Sequence, residues 1–314
     1  MSQKPVKVRH VTVDERGDGQ RIDNFLLREL KGVPRTLIYR LLRKGEVRVN
    51  KGRVKAGRRL VAGDVVRIPP VRLPEASEVG KPPQWQIDKI EKSIIYEDNL
   101  LLIINKESGL AVHGGSGISF GVIELLRASR PQEKALELAH RLDRDTSGCL
   151  MLAKKRSALR TLQQLQREGR VRKRYLALLA GRWNKDRQQV KVPLKKNNLK
   201  SGERVVRVDA AGKHAHTEFR VVQRFSRATL VEAELKTGRT HQIRVHAQYL
   251  GTPILGDEKY GDEQANREFR HLGLKRLFLH AASLRFPWPE REQGYAFEAP
   301  LPPELQELLD KLHV

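Results

Sequence analysis

The chain has 314 residues, enough for two domains of ordinary size, and its 39% apolar content is sufficient for a buried core. Its 61 Lys and Arg residues outnumber 37 Asp and Glu residues, and the net charge of +24 points to a polyanionic partner, nucleic acid before anionic membrane. A single cysteine excludes a disulfide framework and a zinc site built from several thiolates. No apolar run approaches the ~18–20 residues that span a bilayer, and the N-terminus lacks an apolar signal region, so a cytoplasmic protein without membrane attachment is expected.

The first predicted elements are two short helices followed by a hairpin. Apolar residues recur at helical spacing in residues 20–30 and again in residues 35–45. Residues 46–54 alternate apolar and polar side chains around an Asn-Lys-Gly turn, which predicts a tight hairpin. Residues 60–68 indicate another short strand pair around a Gly-Asp turn. Residues 1–68 are therefore predicted to form a small domain of their own.

This predicted domain is strongly basic. Between Arg35 and Arg59 there are ten basic residues and one acidic residue. A solvated face would explain the charge, but its concentration on one small unit favours contacts with RNA or DNA phosphates. Residues 20–68 resemble an S4-type (αL-type) RNA-binding domain through the steps R-x-D-x-F-L, I-x-R-L-L-R-K-G-x-V-x-V-N and G-D-x-V. The resemblance implies an RNA-binding face on the second helix and the hairpin, with the candidate residues Arg35, Arg40, Arg43, Lys44, Lys51 and Arg53.

The remainder of the chain reads as a linker and a second, larger domain. Residues 69–92 hold five prolines and little periodicity, so a semi-rigid linker is predicted. In residues 93–314 strands outnumber helices and several are joined as hairpins. We therefore expect an α+β domain whose mixed, largely antiparallel sheet is flanked by helices. The predicted strands are 100–104, 149–154, 175–181, 217–225 and 228–236, and the predicted helices are 122–128, 157–167 and 302–312.

The first segment that carries candidate chemistry is A-H-R-L-D-R-D-T-S-G at residues 139–148. Asp143 lies between Arg141 and Arg144, and two guanidinium groups beside a carboxylate would hold it ionised. The residues after it are ordinary turn formers, and an aspartate in such a loop is more often structural than catalytic. Spacing alone therefore leaves both roles of Asp143 open.

The second segment is K-T-G-R-T-H-Q-I-R-V-H, which follows the predicted hairpin. Thr240 is predicted to cap a helix that carries Arg244 and ends near Gly251. His241 and His246 lie five residues apart without an accompanying carboxylate, so no metal site is expected. Arg244 is either a surface cation or the partner of a buried carboxylate.

The third segment is V-R-K-R-Y-L-A-L, in which Tyr175 follows three basic residues and opens a strand. A half-buried strand tyrosine would give this pattern. An aromatic platform for a nucleic-acid base, with cations nearby for its phosphates, would give it equally well. The pattern does not separate the two interpretations.

Together the three segments resemble the RluA family of pseudouridine synthases. The signature H-R-L-D-x-x-T-S-G is present at residues 140–148, G-R-T-H-Q-I-R-V-H at residues 238–246 and R-L-x-L-H-A at residues 276–281. With an S4-type domain in front, the chain is most similar to the RluC-type branch, whose substrate is 23S ribosomal RNA. One departure is Glu107, which stands where the family usually has proline, in a loop expected to shape the pocket wall.

The resemblance implies that a flipped uridine is isomerised to pseudouridine without a metal, redox cofactor or nucleotide cofactor. It implies that Asp143 is the catalytic carboxylate, acting either as a nucleophile at C1′ or as a base at C2′ of the ribose. It further implies that Tyr175 packs on the flipped base, Arg244 pairs with Asp143, and Arg141 fills the gap left in the RNA. The implied substrates are single-stranded or loop uridines of large-subunit ribosomal RNA, with transfer RNA as an alternative, and a monomer is expected.

Two other classes of function remain open from the residues alone. One is a non-catalytic S4-type RNA-binding ribosome assembly factor. The other is an RNA hydrolase that uses His140, His241 or His246 as acid and base. Isomerisation predicts loss of the hydrogen at uridine C5 with unchanged RNA length, whereas a hydrolase shortens the RNA.

Overall fold

The computed structural model divides the chain into two compact units, Met1–Gly80 and Lys81–Val314. Among the residues it describes, no helix is long and apolar enough to cross a membrane. The described residues are 8–30, 33–71, 81–115, 119–198 and 204–313.

In its described residues the first unit contains two α-helices and one short 3-10 helix (Glu15–Gly17) beside a small antiparallel sheet with the strand order β1-β4-β2-β3. Its core consists of the apolar faces of the helices and the inward-facing strand residues, including Phe25, Leu26 and Ile38. The first unit is therefore of the α+β class. Its elements are β1 (Arg9–Thr12), α1 (Ile22–Glu29), α2 (Arg35–Lys44), β2 (Arg48–Val49), β3 (Gly52–Arg53) and β4 (Val65–Ile68).

The predicted tight hairpin forms between β2 and β3. Asn50 and Lys51 have φ angles of 48° and 68°, and two consecutive left-handed residues match the twist of paired strands. The Asn50 side chain donates to Asp64 at 2.7 Å, which fixes the turn to the rest of the unit. The second strand pair predicted within residues 60–68 is wrong, because β4 pairs with β1 and β2 instead.

The end of the predicted linker is helical. Helix α3 (Gln84–Lys92) begins directly after Pro83, so the prolines stop where the helix starts. Ile90 is buried in the core of the second unit, and this burial stabilises the helix. Residues 72–80 lie outside the described residues, and for them the linker stays a prediction.

The second unit is built on a ten-stranded sheet with helices on its faces. Among the described strands only the pair β8–β15 is parallel, so the predicted mixed, largely antiparallel sheet is confirmed. The strand order is β10-β13-β14-β9-β15-β8-β6-β5, with β16 on β15 and β7 on β8, and β11 pairs separately with β12. The elements after α3 are β5 (Ile94–Glu97), β6 (Leu101–Lys106), α4 (Val122–Ser129), β7 (Glu137–Leu138), β8 (Ser147–Ala153), α5 (Arg156–Arg167), β9 (Arg172–Ala180), β10 (Arg187–Val190), β11 (Leu194–Asn198), β12 (Arg204–Val208), β13 (Thr217–Arg224), β14 (Ala228–Leu235), α6 (Gln242–Tyr249), α7 (Glu263–His271), β15 (Leu279–Trp288), β16 (Arg291–Glu298) and α8 (Pro303–Lys311).

Strand β6, which lies next to the edge strand β5, is buried on both faces of the sheet. Leu102 and Ile104 belong to one core cluster, while Leu101 and Ile103 belong to the cluster on the opposite face. A strand covered on both faces has no polar side to expose, which explains the uninterrupted apolar run in the sequence.

Gly148 joins the 139–146 loop to the sheet. Its φ of 107° is unfavourable for other residues, and a Cβ built on it would lie 2.3 Å from the Ala281 carbonyl oxygen. This close approach accompanies the short parallel pairing of β8 with β15. Only glycine at this position lets the loop that carries Asp143 end so near β15.

Candidate active site

Asp143 lies in the loop between β7 and β8, and its side chain is 18% exposed. The Nη1 atom of Arg244 is 3.6 Å from Asp143 Oδ2, and Nε2 of His241 is 3.9 Å from Asp143 Oδ1. The guanidinium of Arg144, which the sequence places beside this carboxylate, pairs with Asp145 at 3.2 Å instead. The two groups that approach Asp143 therefore come from the start of α6 rather than from its own loop.

Arg244 makes its close hydrogen bonds to Asp257, a residue that the sequence does not single out as a partner. The Nε and Nη2 atoms donate to the two carboxylate oxygens of Asp257 at 2.7 and 2.8 Å. Burial alone would raise the pKa of Asp257, but the hydrogen bonds and charge of Arg244, together with the amides of Tyr260 and Lys259, outweigh it and the pKa is lowered. Arg244 is thus a fixed cation whose remaining nitrogen faces Asp143.

The helix that carries Arg244 starts differently from the prediction. His241, not Thr240, is the N-cap of α6, and its side chain makes no capping bond. The Gln242 side chain accepts from the Arg239 amide at 3.0 Å and so closes the turn before the helix. Gly251 follows the helix with a φ of 74°, in agreement with the predicted stop.

Tyr175 lies near the start of β9 with 6% of its surface exposed. Burial raises the pKa of its phenol, and the nearby Asp143 carboxylate raises it further, so the hydroxyl keeps its proton. The ring lines a depression of about 690 Å³ together with Asp143, Arg244 and Leu279. The structure therefore places Asp143, Tyr175 and Arg244 around one depression.

A second and larger depression meets the first at Asp143. It measures about 1700 Å³ and is lined by basic side chains that include Lys92, Lys275 and Arg276. Arg141 is exposed and lines both depressions, as do Asp143, His241 and Arg244. A polyanion lying along these depressions would pass directly over the carboxylate.

Lys106 is a site residue that the sequence analysis does not identify. Its side chain is fully buried at the end of β6, and Nζ donates to the carbonyl oxygens of Glu107, Leu110 and Arg144 at 2.7, 2.8 and 2.9 Å. Burial lowers the pKa of Lys106 to about 7, although Asp145 and Asp143 act in the opposite direction. A lysine at the end of a strand that begins with four apolar residues is the signal that could have identified Lys106 as a buried hydrogen-bond donor.

We expect Lys106→Met to destabilise the fold by about 2–4 kcal/mol, because three backbone carbonyls lose a charged donor that the fold buries. The residual folded enzyme should turn over more slowly, since the Arg144 carbonyl adjoins Asp143. Denaturant unfolding and single-turnover kinetics measure the two effects. Lys185→Met, at an exposed position, is the control, and equal stability of the two variants would contradict the role of Lys106.

Glu107, the departure from the family pattern, lies at the rim of the larger depression. Its carboxylate pairs with Lys89 of α3 at 2.7 Å, and both side chains are at least half exposed. The neighbouring Ser108 hydroxyl donates to the Asp145 carbonyl oxygen at 2.7 Å. The loop that holds Glu107 and Ser108 therefore contacts the loop that carries Asp143, although it has glutamate where the family usually has proline.

The other two histidines proposed for a hydrolase have structural partners. His140 is half-buried and its Nε2 accepts from the Met151 amide at 3.1 Å. His246 is fully buried, with Nδ1 2.9 Å from the Thr217 hydroxyl and Nε2 3.3 Å from the Val192 carbonyl. Of the three, only His241 approaches Asp143 with a ring nitrogen.

The six candidate residues of the first unit are all exposed on α2 or at the hairpin. Two other basic residues of that stretch have internal partners. Arg58 pairs with Asp64 at 3.2 Å, and Arg59 donates to the Gly19 carbonyl at 2.8 Å. The basic stretch is thus divided between stabilising the unit and forming an exposed basic face.

Residues 100–249 match the family model described as RNA pseudouridylate synthase, and residues 20–66 match the model of the S4 domain. The first match contains Asp143, Tyr175 and Arg244 and ends before Asp257. Both matched regions agree with the families that the sequence motifs resemble.

Full-length relatives agree with these matches. The chain is 55% identical to the ribosomal large subunit pseudouridine synthase C of Pasteurella multocida (strain Pm70), over 97% of this chain and 94% of the relative. It is 54% identical to the protein of the same name from Escherichia coli (strain K12), over 98% of this chain and 97% of that one. The solved structure of human RNA pseudouridylate synthase domain containing 4 is 27% identical, with a TM-score of 0.60, over 73% of this chain and 97% of that one. The fold, the Asp143 loop and these full-length identities establish that the chain belongs to the RNA pseudouridylate synthase family.

Proposed function

We propose that this enzyme converts specific uridines of large-subunit (23S) ribosomal RNA to pseudouridine, with Asp143 as its catalytic carboxylate. The observation that carries the proposal is the position of Asp143, 3.6 Å from the fixed Arg244 and at the junction of two depressions. The names of the full-length relatives support large-subunit ribosomal RNA as the substrate. We further propose that the enzyme acts as a monomer in the cytoplasm.

The reaction breaks the N1–C1′ bond of uridine, turns the uracil and joins C5 to C1′. The C5 hydrogen leaves as a proton and N1 gains one, so atoms and electrons balance without an added reagent. Asp143 acts on the ribose, either as a nucleophile at C1′ or as a base that removes a proton from C2′. Both routes require an ionised carboxylate, and the guanidinium of Arg244 lies 3.6 Å from it as its ion-pair partner.

The remaining roles follow from the shape of the site. The depression lined by Tyr175 suits the flipped uracil, because a buried aromatic ring offers a stacking surface. Arg141 is exposed at the junction, which suits a side chain that fills the gap left by the extruded base. Flipping costs a few kcal/mol, and least for a base that is already unpaired, so we propose single-stranded or loop uridines as the targets.

A release assay tests this function. Ribosomal RNA labelled with tritium at uridine C5 should release tritium to water on incubation with the enzyme, while its length stays unchanged. Pseudouridine mapping in total RNA, with and without the protein, should show lost sites in large-subunit ribosomal RNA. Loss of pseudouridines only from transfer RNA would overturn the proposed substrate. Absence of tritium release would overturn the proposed reaction.

We also propose that the exposed basic residues of the first unit bind RNA phosphates. Replacing both Arg40 and Arg43 by Ala should reduce the slope of log Kd against log salt concentration by about 1.4–1.8, since each lost phosphate contact removes about 0.7–0.9. Filter binding across a salt series measures this slope. The double variant of Arg267 and Arg270, exposed at the same spacing on α7, is the control, and equal slopes for both double variants would contradict this role.

A further inference from the structure

His241 lies beside Asp143, and its two ring nitrogens have different partners. Nδ1 is 2.7 Å from the hydroxyl oxygen of Tyr260, and Nε2 is 3.9 Å from Asp143 Oδ1. Its backbone is left-handed, with φ 53° and ψ 22°, a conformation that costs energy in residues other than glycine. Such strain next to a candidate carboxylate points to a functional constraint on where the imidazole lies.

Tyr260 is held in place from several sides. The residue is 3% exposed, and its hydroxyl oxygen is 2.9 Å from the backbone nitrogen of Val206 in β12. The guanidinium carbon of Arg244 lies 5.0 Å from the centre of the Tyr260 ring. The phenol therefore has little freedom to change its hydrogen-bond partners.

These contacts determine where the hydrogens lie. The Val206 amide is a donor, so the Tyr260 oxygen accepts there and has one hydrogen of its own to donate. Nδ1 of His241, at 2.7 Å, lies within reach of that hydrogen and would then be the unprotonated nitrogen. A neutral imidazole whose Nδ1 accepts a hydrogen bond carries its hydrogen on Nε2, the atom that faces Asp143.

The imidazole is neutral under ordinary conditions. Burial lowers the pKa of His241 most strongly, Arg244 and Lys259 lower it further, and Asp143 and Asp257 only partly oppose them. Burial also raises the pKa of Tyr260, so its hydroxyl keeps the hydrogen that it donates. The assigned arrangement is therefore the one present near pH 7.

We propose that His241 is a positioning residue for Asp143 and that Tyr260 fixes its tautomer, so that the Nε2–H is directed at the carboxylate. The proposal rests on the catalytic role proposed above for Asp143. Arg244 approaches Oδ2 while His241 approaches Oδ1, so the two donors together define the rotation of the carboxylate. At 3.9 Å the His241 contact is longer than a hydrogen bond, so the Nε2–H acts on the carboxylate through its dipole.

A neutral donor suits this position. A second full positive charge beside Arg244 would stabilise the carboxylate strongly and make it a weaker nucleophile or base. An N–H dipole orients the carboxylate with less loss of reactivity. The opposite tautomer would turn a lone pair of Nε2 toward the negative oxygen and repel it.

The tautomer is measurable in the intact protein. Two-dimensional NMR of protein labelled with ¹⁵N in histidine should show His241 protonated at Nε2 in the wild type and in Asp143→Asn. Tyr260→Phe should change this pattern, because Nδ1 loses its donor. A wild-type His241 protonated at Nδ1 would overturn the proposal.

Kinetics test the consequence for Asp143. Tyr260→Phe should lower kcat about tenfold to hundredfold, as loss of an orienting partner commonly does, and leave KM within about twofold. His241→Gln, which keeps an N–H donor, should retain more activity than His241→Ala. Tyr249→Phe, at a residue of helix α6 that is 57% exposed, is the control and should keep the wild-type kcat.

The two proposals fail in different ways. Full activity of Asp143→Asn would overturn the role of Asp143, whatever the tautomer of His241. If Asp143 is essential but folded Tyr260→Phe and His241→Ala turn over at the wild-type rate, only the positioning role of His241 is overturned. Equal activity of His241→Gln and His241→Ala would likewise overturn the role of the Nε2–H donor.

Discussion

Asp143→Asn should abolish turnover while RNA binding stays within about threefold of the wild type. The amide has the shape of the carboxylate, so the surrounding loop and the cations that bind phosphate are retained. It lacks the negative charge that either route at the ribose requires, so the loss falls on kcat rather than on binding. Tritium release under single-turnover conditions and filter binding measure the two quantities.

The control for this variant is Asp145→Asn in the same loop. Asp145 is 44% exposed and pairs with Arg144, so its replacement should change turnover by less than about threefold. If Asp143→Asn and Asp145→Asn lose activity equally, the loop is important for its structure and Asp143 is not the catalytic carboxylate.

Arg244→Lys should lower kcat about 100-fold or more and reduce the free energy of unfolding by about 1–3 kcal/mol. An ammonium group cannot make both parallel hydrogen bonds to Asp257 and still direct a nitrogen at Asp143. One oxygen of the buried Asp257 would lose a charged donor, which accounts for the loss of stability. Single-turnover kinetics and denaturant unfolding report the two effects.

A second Arg-to-Lys change, at an exposed ion pair, shows how much is lost when arginine is replaced by lysine outside the site. Arg285 pairs with Glu298 at 3.2 Å on the exposed part of β15, with both side chains more than half exposed. Arg285→Lys should change stability by less than about 1 kcal/mol and leave turnover unchanged. Wild-type turnover of Arg244→Lys would show that the two hydrogen bonds to Asp257 are dispensable.

The sequence predicts which residues form the site better than it predicts the hydrogen bonds among them. Asp143, Tyr175 and Arg244 lie in motifs far apart in the chain, and the sheet brings them together as the family resemblance implies. The partner of Arg244 could not be predicted in the same way. Asp257 lies in a turn after α6, and only the fold reveals that its buried carboxylate receives both close hydrogen bonds.

Elements that depend on tertiary contacts were the hardest to predict. Strand β4 finds its partners in β1 and β2 rather than in the residues beside it, and no local pattern encodes that choice. Helix α3 follows a proline-rich stretch and becomes recognisable only because Ile90 reaches the core. The contacts of Lys106 are not predictable from the sequence, because its three acceptors are backbone carbonyls, which every residue carries.

The buried ammonium of Lys106 has a consequence for how substrates are chosen. It binds the Arg144 carbonyl, in the loop that carries Asp143, together with the Glu107 and Leu110 carbonyls, so this loop needs little rearrangement to act. The rearrangement then falls on the nucleic acid, which must unstack one nucleotide to reach a rigid partner. Selection among uridines would follow how easily each stretch of RNA deforms, as well as which bases surround it.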